Sequence, residues 1–376
     1  MDTSPLSSCL PEEAYAIALA SIRSIGPKRR HELLSRADPL EVWERVISGK
    51  LDREDTRCER DARSVDVGSL WRSYVEAGVS ACYVGSASYP MSLAALQRAP
   101  GVLFYSGDIS VLNEFPKVAI VGTRSATRYG LGVASEFAAE LAALGVCVLS
   151  GLAQGIDTAA HEGSCGGWDR SAGGGAPPGA VAAGGLGGQS SSSEERTRRR
   201  ISKSGVVVSG EPIGVPPARW SFSARSKLMA MLVDAVVVVE SHLKGGSFHT
   251  VDVAAQLGKP VGAVPGSIRS PASAGTNSLL ADGCFPVRDT SDILTALSLS
   301  GIKVPANSLR ERAQSHDVGD EDLFEDLLAA LGWERCSLEE LVNQMDQPVG
   351  AVCSLLEQLA CKGRVRGGDG FWERLR

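Results

Sequence analysis

The stretch that decides the fold is VAIVGTRSATRYGLGVASEFAAELAALGVCVLSGLAQGIDTAAHEG, residues 118–163. Its first four residues are apolar and mostly β-branched, as a strand buried on both faces requires. A glycine turn follows, and apolar residues then recur at helical spacing until Gly145 ends the helix. Residues 146–149 begin the same series of elements again, with a second glycine-containing turn at residues 150–157. The stretch therefore predicts two consecutive strand–turn–helix units of a parallel sheet.

The two turns are expected to meet at one edge of the sheet, because parallel strands deliver their following loops to the same side. Free backbone N–H groups and helix dipoles at that edge favour a phosphate. Arg124 and Arg128 in the first turn add formal positive charge. We therefore predict a site for an anionic or nucleic-acid phosphate. The alternative is a plain doubly wound core whose turns bind no ligand.

Two other chemistries are disfavoured. The dinucleotide fingerprint G-x-G-x-x-G is absent, because Thr123 and Arg124 follow Gly122, and Ser150 stands where a ribose-binding acid would end the second strand. No cofactor is therefore expected. A hydrolase built on Ser150, Asp157 and His161 is also disfavoured, since G-x-S-x-G is missing. Asp157 and His161 lie four residues apart, so we expect them to pair with each other, or to cap and pack their helix.

Composition limits the remaining possibilities. A length of 376 residues predicts two or three domains, and the net charge of −6 means that nucleic acid must be bound by a local patch. Nine cysteines occur without a C-x-x-C pair, and the five histidines do not cluster with them, which indicates reduced thiols and no metal site. No signal sequence or long apolar run is recognisable, so we expect a cytoplasmic protein without a membrane span.

Further strands are predicted at residues 206–209, 235–239 and 261–264, and an edge strand is expected within residues 100–108. Helices are predicted at residues 222–232 and 247–257, with Ser247 as the N-cap of the second. The turns between these elements again lie at one edge of the sheet.

Residues 164–204 are rich in glycine, serine and arginine. Such a composition predicts a largely disordered, low-complexity insert, in which only residues 179–184 are strand-like. The basic run at residues 196–203 is either a solvated linker or a segment that helps to hold a nucleic-acid strand.

The two ends of the chain predict small helical domains. Residues 1–75 indicate short helices, and the turn at residues 24–28 resembles a helix-hairpin-helix but is also explained by ordinary turn chemistry. After a linker at residues 306–320, residues 321–376 predict three helices and a hairpin, which together make a winged helix. Its acidic residues Glu339, Glu340 and Glu357 argue against groove binding to duplex DNA and favour a partner-binding or spacing module.

A series of segments in the middle of the chain resembles the DNA-processing protein A (DprA/Smf) family. The order and spacing agree over about residues 80–300, and the segments are YPMSLAAL, PGVLFYSGD, VAIVGTR, SGLAQGIDTAAH, SGEP, RSKL, VVVVESHLKGGSFHT, GKPVGAVPGS and GTNSLLADG. The resemblance implies an α/β fold: an extended Rossmann-like, doubly wound, mostly parallel sheet at residues 80–305. It also implies a non-enzymatic homodimer that binds single-stranded DNA and loads RecA recombinase during natural transformation.

By the same resemblance, Arg124, Arg225 and Lys227 line the DNA pocket, and Gly151 and Gly155 belong to its phosphate loop. The family segment usually reads R-N-R, so Ser226 and Lys227 depart from it, and an arginine is commoner where Gln154 stands. Lysine keeps the charge but lacks the planar fork of arginine. The full set of predicted DNA-contacting residues is Gly122, Thr123, Arg124, Ser150, Gly151, Gly155, Arg225, Lys227, Gly246 and Ser247.

Two alternatives to this function stay open. One is a nucleotide phosphoribohydrolase of the lysine-decarboxylase-like group, whose glycine-threonine-glutamate motif is not matched by residues 245–250. The other is a degenerate paralogue that has kept the fold and lost DNA binding.

Overall fold

The computed structural model describes residues 10–51, 57–171, 174–187, 192–304, 320–333, 335–345, 347, 349–368 and 370–375. The chain divides into two compact units. The first comprises Met1–Ser125 and Ala134–Val304, and the second comprises Ala126–Val133 and Pro305–Arg376.

The first unit is built on a nine-stranded sheet, which is the predicted α/β, doubly wound, mostly parallel architecture. The strands, in the order of the chain, are β1 (Ser80–Tyr83), β2 (Val102–Gly107), β3 (Lys117–Val121), β4 (Cys147–Ser150), β5 (Gly179–Val181), β6 (Val206–Ser209), β7 (Ala235–Val238), β8 (Val261–Ala263) and β9 (Phe285–Pro286). Their order in space is β1-β2-β6-β5-β4-β3-β7-β8-β9. Strands β3 to β9 all pair in parallel with their neighbours among themselves. Strand β2 pairs antiparallel with β6, and β1 pairs antiparallel with β2.

Strand β3 holds the centre of the sheet, as its apolar sequence predicts. Val118 pairs with Val148 of β4 on one side and with Ala235 of β7 on the other. All five residues of β3 are buried, because helices cover both faces of the parallel sheet. The expectation that β2 is an edge strand is wrong. Strand β1 lies outside β2 and pairs with it from Ser80–Tyr105 to Tyr83–Val102.

The helices that connect and cover the strands follow the predicted spacing. They are α6 (Met91–Ala94), α7 (Val111–Glu114), α8 (Arg128–Ala143), α9 (Ile156–Arg170), α10 (Ser192–Ser204), α11 (Arg219–Leu232), α12 (Phe248–Gln256), α13 (Ala274–Ala281) and α14 (Thr290–Leu299). A single turn of 3₁₀-helix, Pro271–Ser273, precedes α13.

Between residue 10 and the sheet, the described residues form the helices α1 (Glu12–Ser21), α2 (Pro27–Leu34), α3 (Pro39–Ile47), α4 (Arg57–Arg63) and α5 (Val67–Glu76). Their apolar side chains share one hydrophobic cluster with the sheet. For example, the ring of Tyr74 lies 5.6 Å from that of Phe104 in β2. The chain changes from helices to strands near residue 75, where the sequence predicts a domain boundary. The hydrophobic core continues across that point. The resemblance of the turn before α2 to a helix-hairpin-helix stays a prediction.

The described part of residues 164–204 is folded, so the expectation of a largely disordered insert is wrong there. Helix α9 continues to Arg170, β5 follows, and α10 contains the whole basic run. The glycines allow close packing: a Cβ on Gly163 would overlap the carbonyl oxygen of Ser135, and one on Gly167 that of Ala139. The backbones of α8 and α9 can therefore touch, which larger side chains would prevent.

Helix α10 is held by an apolar anchor and by ion pairs. Ile201 is fully buried in the main cluster. The Glu195 carboxylate pairs with Arg198 and Arg199 on the same helix, and Arg200 pairs with Asp169 of α9 at 2.8 Å. The basic run is thus a salt-bridged helix and not a solvated linker.

The described residues of the second unit after position 319 form three helices and a small sheet. These elements are α15 (Asp320–Leu331), β10 (Cys336–Ser337), α16 (Leu338–Met345), α17 (Val349–Cys361), β11 (Val365–Gly368) and β12 (Phe371–Arg374), and the antiparallel strands are ordered β10-β12-β11. Helix α16 begins with a capping box, because Ser337 N–H donates to Glu340 Oε2 at 2.9 Å and Glu340 N–H donates to Ser337 Oγ at 3.2 Å. Assignment to the winged-helix class stays a prediction.

Candidate anion-binding crevice

The candidate site lies where the direction of the chain connections reverses. Strands β3 and β7 are neighbours, but β3 leads to β4 on one side and β7 leads to β8 on the other. A crevice opens at the carboxyl ends of strands at such a switch point. The loops after β3 and β7 meet there, since Thr123 N–H donates to Glu240 O at 2.8 Å. Together with α11, they line a cavity of about 350 Å³.

Two of the predicted glycines are required for this close approach. A Cβ on Gly122 would lie 2.5 Å from Ile156 Cγ1 and 2.7 Å from Glu240 O. Gly155 has a φ of +84° and a ψ of −128°, a backbone conformation essentially confined to glycine. A Cβ on Gly155 would also overlap the Thr123 carbonyl oxygen. Both positions are therefore fixed by the packing of one turn against the other.

Two backbone N–H groups of the loop after β4 are not the free donors that the sequence predicts at this edge of the sheet. Leu152 N–H donates to His161 Nε2 and Ala153 N–H to Asp157 Oδ2, each at 3.3 Å. These two N–H groups, expected to face a phosphate, are satisfied by side chains of α9 instead. Leu152 has a φ of +59°, which costs a non-glycine residue about 1 to 3 kcal/mol and is maintained only by the surrounding contacts.

Arg225 of α11 organises this loop from the opposite side. One guanidinium nitrogen donates to the Gly151 carbonyl, and Nη2 lies 3.8 Å from Asp157 Oδ2. Both side chains are nearly buried, with 12% exposure for Arg225 and 6% for Asp157. Burial raises the pKa of Asp157, and the Arg225 guanidinium opposes that rise. A Cβ on Gly151 would lie 2.7 Å from both Arg225 Cζ and Asp157 Oδ2, so the glycine makes room for the pair.

Arg124 is the exposed cation of the crevice. Its guanidinium carbon lies 5.2 Å from the centre of the Phe222 ring, and that of Arg225 lies 5.7 Å from the same ring. Arg124 has no carboxylate partner among the described residues. The cation–π contact holds the guanidinium while leaving its N–H donors available to an anion. Sequence reasoning missed Phe222, although its i, i+3 spacing from Arg225 on the predicted helix was a usable signal.

The N-terminus of α12 supplies the remaining polar groups. Within the described chain, the N–H groups of Gly246 and Ser247 have no hydrogen-bond partner, and both residues line the cavity. The positive end of the dipole of α12 favours an anion at this position. Ser247 holds the N-cap position of α12, as predicted, but its side chain makes no capping hydrogen bond. Its hydroxyl lies 2.8 Å from Ser241 Oγ, and its backbone is already helical.

Four predicted contact residues do not line this crevice: Ser150, Gly151, Gly155 and Lys227. The Ser150 hydroxyl is fully buried and donates to the Ile120 carbonyl at 2.7 Å. Lys227 is exposed and lines a second cavity, of about 780 Å³, which shares Arg225 with the crevice. Residues two apart on a helix point in different directions, and this separates Lys227 from the crevice although Arg225 lines both cavities.

Asp157 and His161 do not pair with each other. Asp157 is bound to Arg225, and His161 accepts the Leu152 N–H. Burial, assisted by the charge of Arg225, lowers the pKa of His161 to about 3, so the ring is neutral at physiological pH. These contacts orient the loop, which is the capping and packing role left open as the alternative.

The doubly wound sheet and the two arginines at its switch point define a Rossmann-like α/β protein with a positively charged crevice. The model of the family described as DNA recombination-mediator protein A matches residues 80–298. Protein Smf of Escherichia coli is 32% identical over 289 residues, which cover 77% of this chain and 75% of that protein. DNA processing protein DprA of Bacillus subtilis is 32% identical over 60% of this chain and 73% of that protein. The chain belongs to this family.

Solved structures agree with this assignment. DNA processing protein A of Streptococcus pneumoniae superposes with a TM-score of 0.62 at 27% identity, covering 76% of this chain and 96% of that one. The corresponding protein of Helicobacter pylori, described for its single-stranded DNA binding mode, gives a TM-score of 0.51 at 25% identity, with coverage of 59% and 97%.

The described residues contain no helix that combines the length and apolar character needed to cross a membrane. Nor do they bring three or more His, Cys, Asp or Glu side chains together in a group able to hold a metal ion.

Proposed function

We propose that the crevice binds the phosphates of single-stranded DNA. The observation that carries the proposal is the exposed guanidinium of Arg124, which is held on Phe222, has no carboxylate partner among the described residues, and lies in the cavity that Gly246 and Ser247 also line. Family membership and the single-stranded DNA binding of the Helicobacter pylori protein support it. Phosphate contacts carry no sequence information directly, so base preference is expected to be slight.

We further propose that the protein acts without catalysis, as a homodimer in the cytoplasm, and delivers single strands to RecA during natural transformation. The family description as a recombination mediator supports the RecA step. Its test is the rate at which RecA filaments form on a protein-coated single strand, with and without this chain.

The binding proposal is tested by titrating labelled single-stranded and duplex oligonucleotides at several salt concentrations. For single strands, the slope of log affinity against log salt is about 0.7 per neutralised phosphate. Arg124→Ala should therefore weaken every single strand alike and flatten the slope by up to about 0.7. Arg288→Ala is the matched control, because Arg288 is an exposed arginine that lines neither cavity.

Three outcomes would contradict the proposal. Equal binding by Arg124→Ala and the unmodified chain would remove Arg124 from the site. Absence of single-strand binding by the unmodified chain would indicate a paralogue that has lost the activity. Turnover of nucleoside monophosphates, checked with the same protein, would instead favour the phosphoribohydrolase alternative.

A further inference from the structure

The second cavity, here called the α11–α12 cleft, is not used by the phosphate site. It is lined by one side of α11, one side of α12, residues 95–98 and the ends of β5 and β6. Much of its wall is apolar, including Leu96, Leu228, Met231, Val253 and Leu257. Its volume of about 780 Å³ is in the range of a small-molecule site.

Trp220, in the first turn of α11, lines this cleft. It is 59% exposed, whereas most large apolar side chains of the first unit are buried. Trp220 and Lys227 lie seven residues apart on α11, so they point to the same side about 10 Å from each other along the helix axis. The cleft therefore combines an exposed aromatic surface with a cation.

One side of the cleft carries positive charge, which is complementary to the negative backbone of a nucleic acid. Arg98 and Lys227 are exposed and have no carboxylate partner among the described residues. Of the two acids in the wall, Glu211 is partly neutralised by the charge of Arg30, and Asp252 is exposed. A strand can thus keep its phosphates beside Arg98 and Lys227 and place its bases on the apolar wall.

The cleft adjoins the crevice, since Arg225 and His249 line both. We propose that a single strand whose phosphates are held at Arg124 continues past Arg225 into the α11–α12 cleft, where Trp220 stacks on a base. This inference rests on the proposed function and adds to it a contact with bases. Such a contact would favour single strands over duplex DNA, whose bases are already stacked on each other.

The test compares Trp220→Ala, Trp220→Phe and the unmodified full-length chain on an oligothymidylate and on an abasic strand of the same length. Stacking of one base on an aromatic side chain corresponds to roughly 5-fold to 150-fold in affinity. We expect Trp220→Ala to lose that factor on the oligothymidylate, Trp220→Phe to keep most of the affinity, and all three proteins to bind the abasic strand alike. Ile268→Ala is the matched control, because Ile268 is 92% exposed and lies outside both cavities.

A fluorescence titration gives a second measurement, because base stacking should quench the emission of Trp220 and this change should be absent in Trp220→Phe. Equal oligothymidylate affinity of Trp220→Ala and the unmodified chain would overturn the inference and leave the phosphate site intact. If Trp220→Ala lost as much affinity for the abasic strand as for the oligothymidylate, the inference would also be overturned. Trp220 would then act on the path of the phosphates and not on a base. If the unmodified chain binds neither strand, the proposed function itself fails.

Discussion

Arg124 and Arg225 contact the same ring, that of Phe222, but they differ in burial and in ion pairing and therefore have different roles. Arg124 is exposed and has no carboxylate partner among the described residues, so it can meet an incoming phosphate. Arg225 is nearly buried and already bound to Asp157 and to the Gly151 carbonyl. Arg225 thus maintains the loop after β4, and its loss should affect stability as well as binding.

We predict that Arg225→Met lowers the free energy of unfolding by about 3 kcal/mol, because it leaves the Asp157 carboxylate buried without its cation. The double variant Arg225→Met, Asp157→Asn should recover at least about 1 kcal/mol, since the amide keeps an oxygen for the Ala153 N–H and carries no charge. Urea unfolding of both variants, with Arg124→Ala as the exposed control, measures the difference. A double variant no more stable than Arg225→Met would contradict this assignment.

His161 predicts a pH dependence of stability. Its pKa is about 3 in the folded protein and 6.5 as the ordinary value, so the unfolded chain binds the extra proton between these values. Stability from this group is therefore complete above pH 6.5 and is lost as the pH falls towards 3. Between pH 6 and pH 5 the loss is about 1 kcal/mol. In urea unfolding at several pH values, His161→Gln should lack this loss of stability between pH 6 and pH 5. If the free energy of unfolding depends on pH identically in both proteins, the ring is not buried in its neutral form.

At the scale of elements, glycine allows α8 and α9 to pack at backbone distance. We predict that Gly167→Ala destabilises the protein by about 1 to 3 kcal/mol, because the new methyl group would overlap the Ala139 carbonyl. Gly166→Ala is a neighbouring control on the same helix. Its Cβ would meet only the end of the flexible Arg170 side chain, at 3.3 Å, so the better helix propensity of alanine should make it neutral or stabilising. Thermal unfolding of the two variants measures the contrast, and equal effects would refute close packing as the reason for these glycines.

At the scale of the molecule, every residue that lines the crevice belongs to the first unit. We predict that deleting residues 320–376 leaves single-strand affinity within about threefold. Circular dichroism should show that the central sheet is retained. A loss greater than tenfold, about 1.4 kcal/mol, would place a major DNA contact on the C-terminal unit.

The sequence by itself determined the central architecture and the family. Strand β3, helix α8 and strand β4 follow from local apolar spacing, and the Ser337–Glu340 capping box from a four-residue pattern, because each depends on neighbours along the chain. Only the tertiary structure decided which residues share the crevice. The Arg225–Asp157 pair joins residues 68 positions apart, and no local pattern records such a contact.

The glycine-rich tract shows the same limit most clearly. Composition alone does not distinguish a glycine that loosens a chain from one that lets two backbones touch. Gly167 is of the second kind, which becomes apparent only when Ala139 lies opposite it. The physical reason is that a missing Cβ lowers the energy of a contact only if a partner occupies that space, and the partner is supplied by the fold.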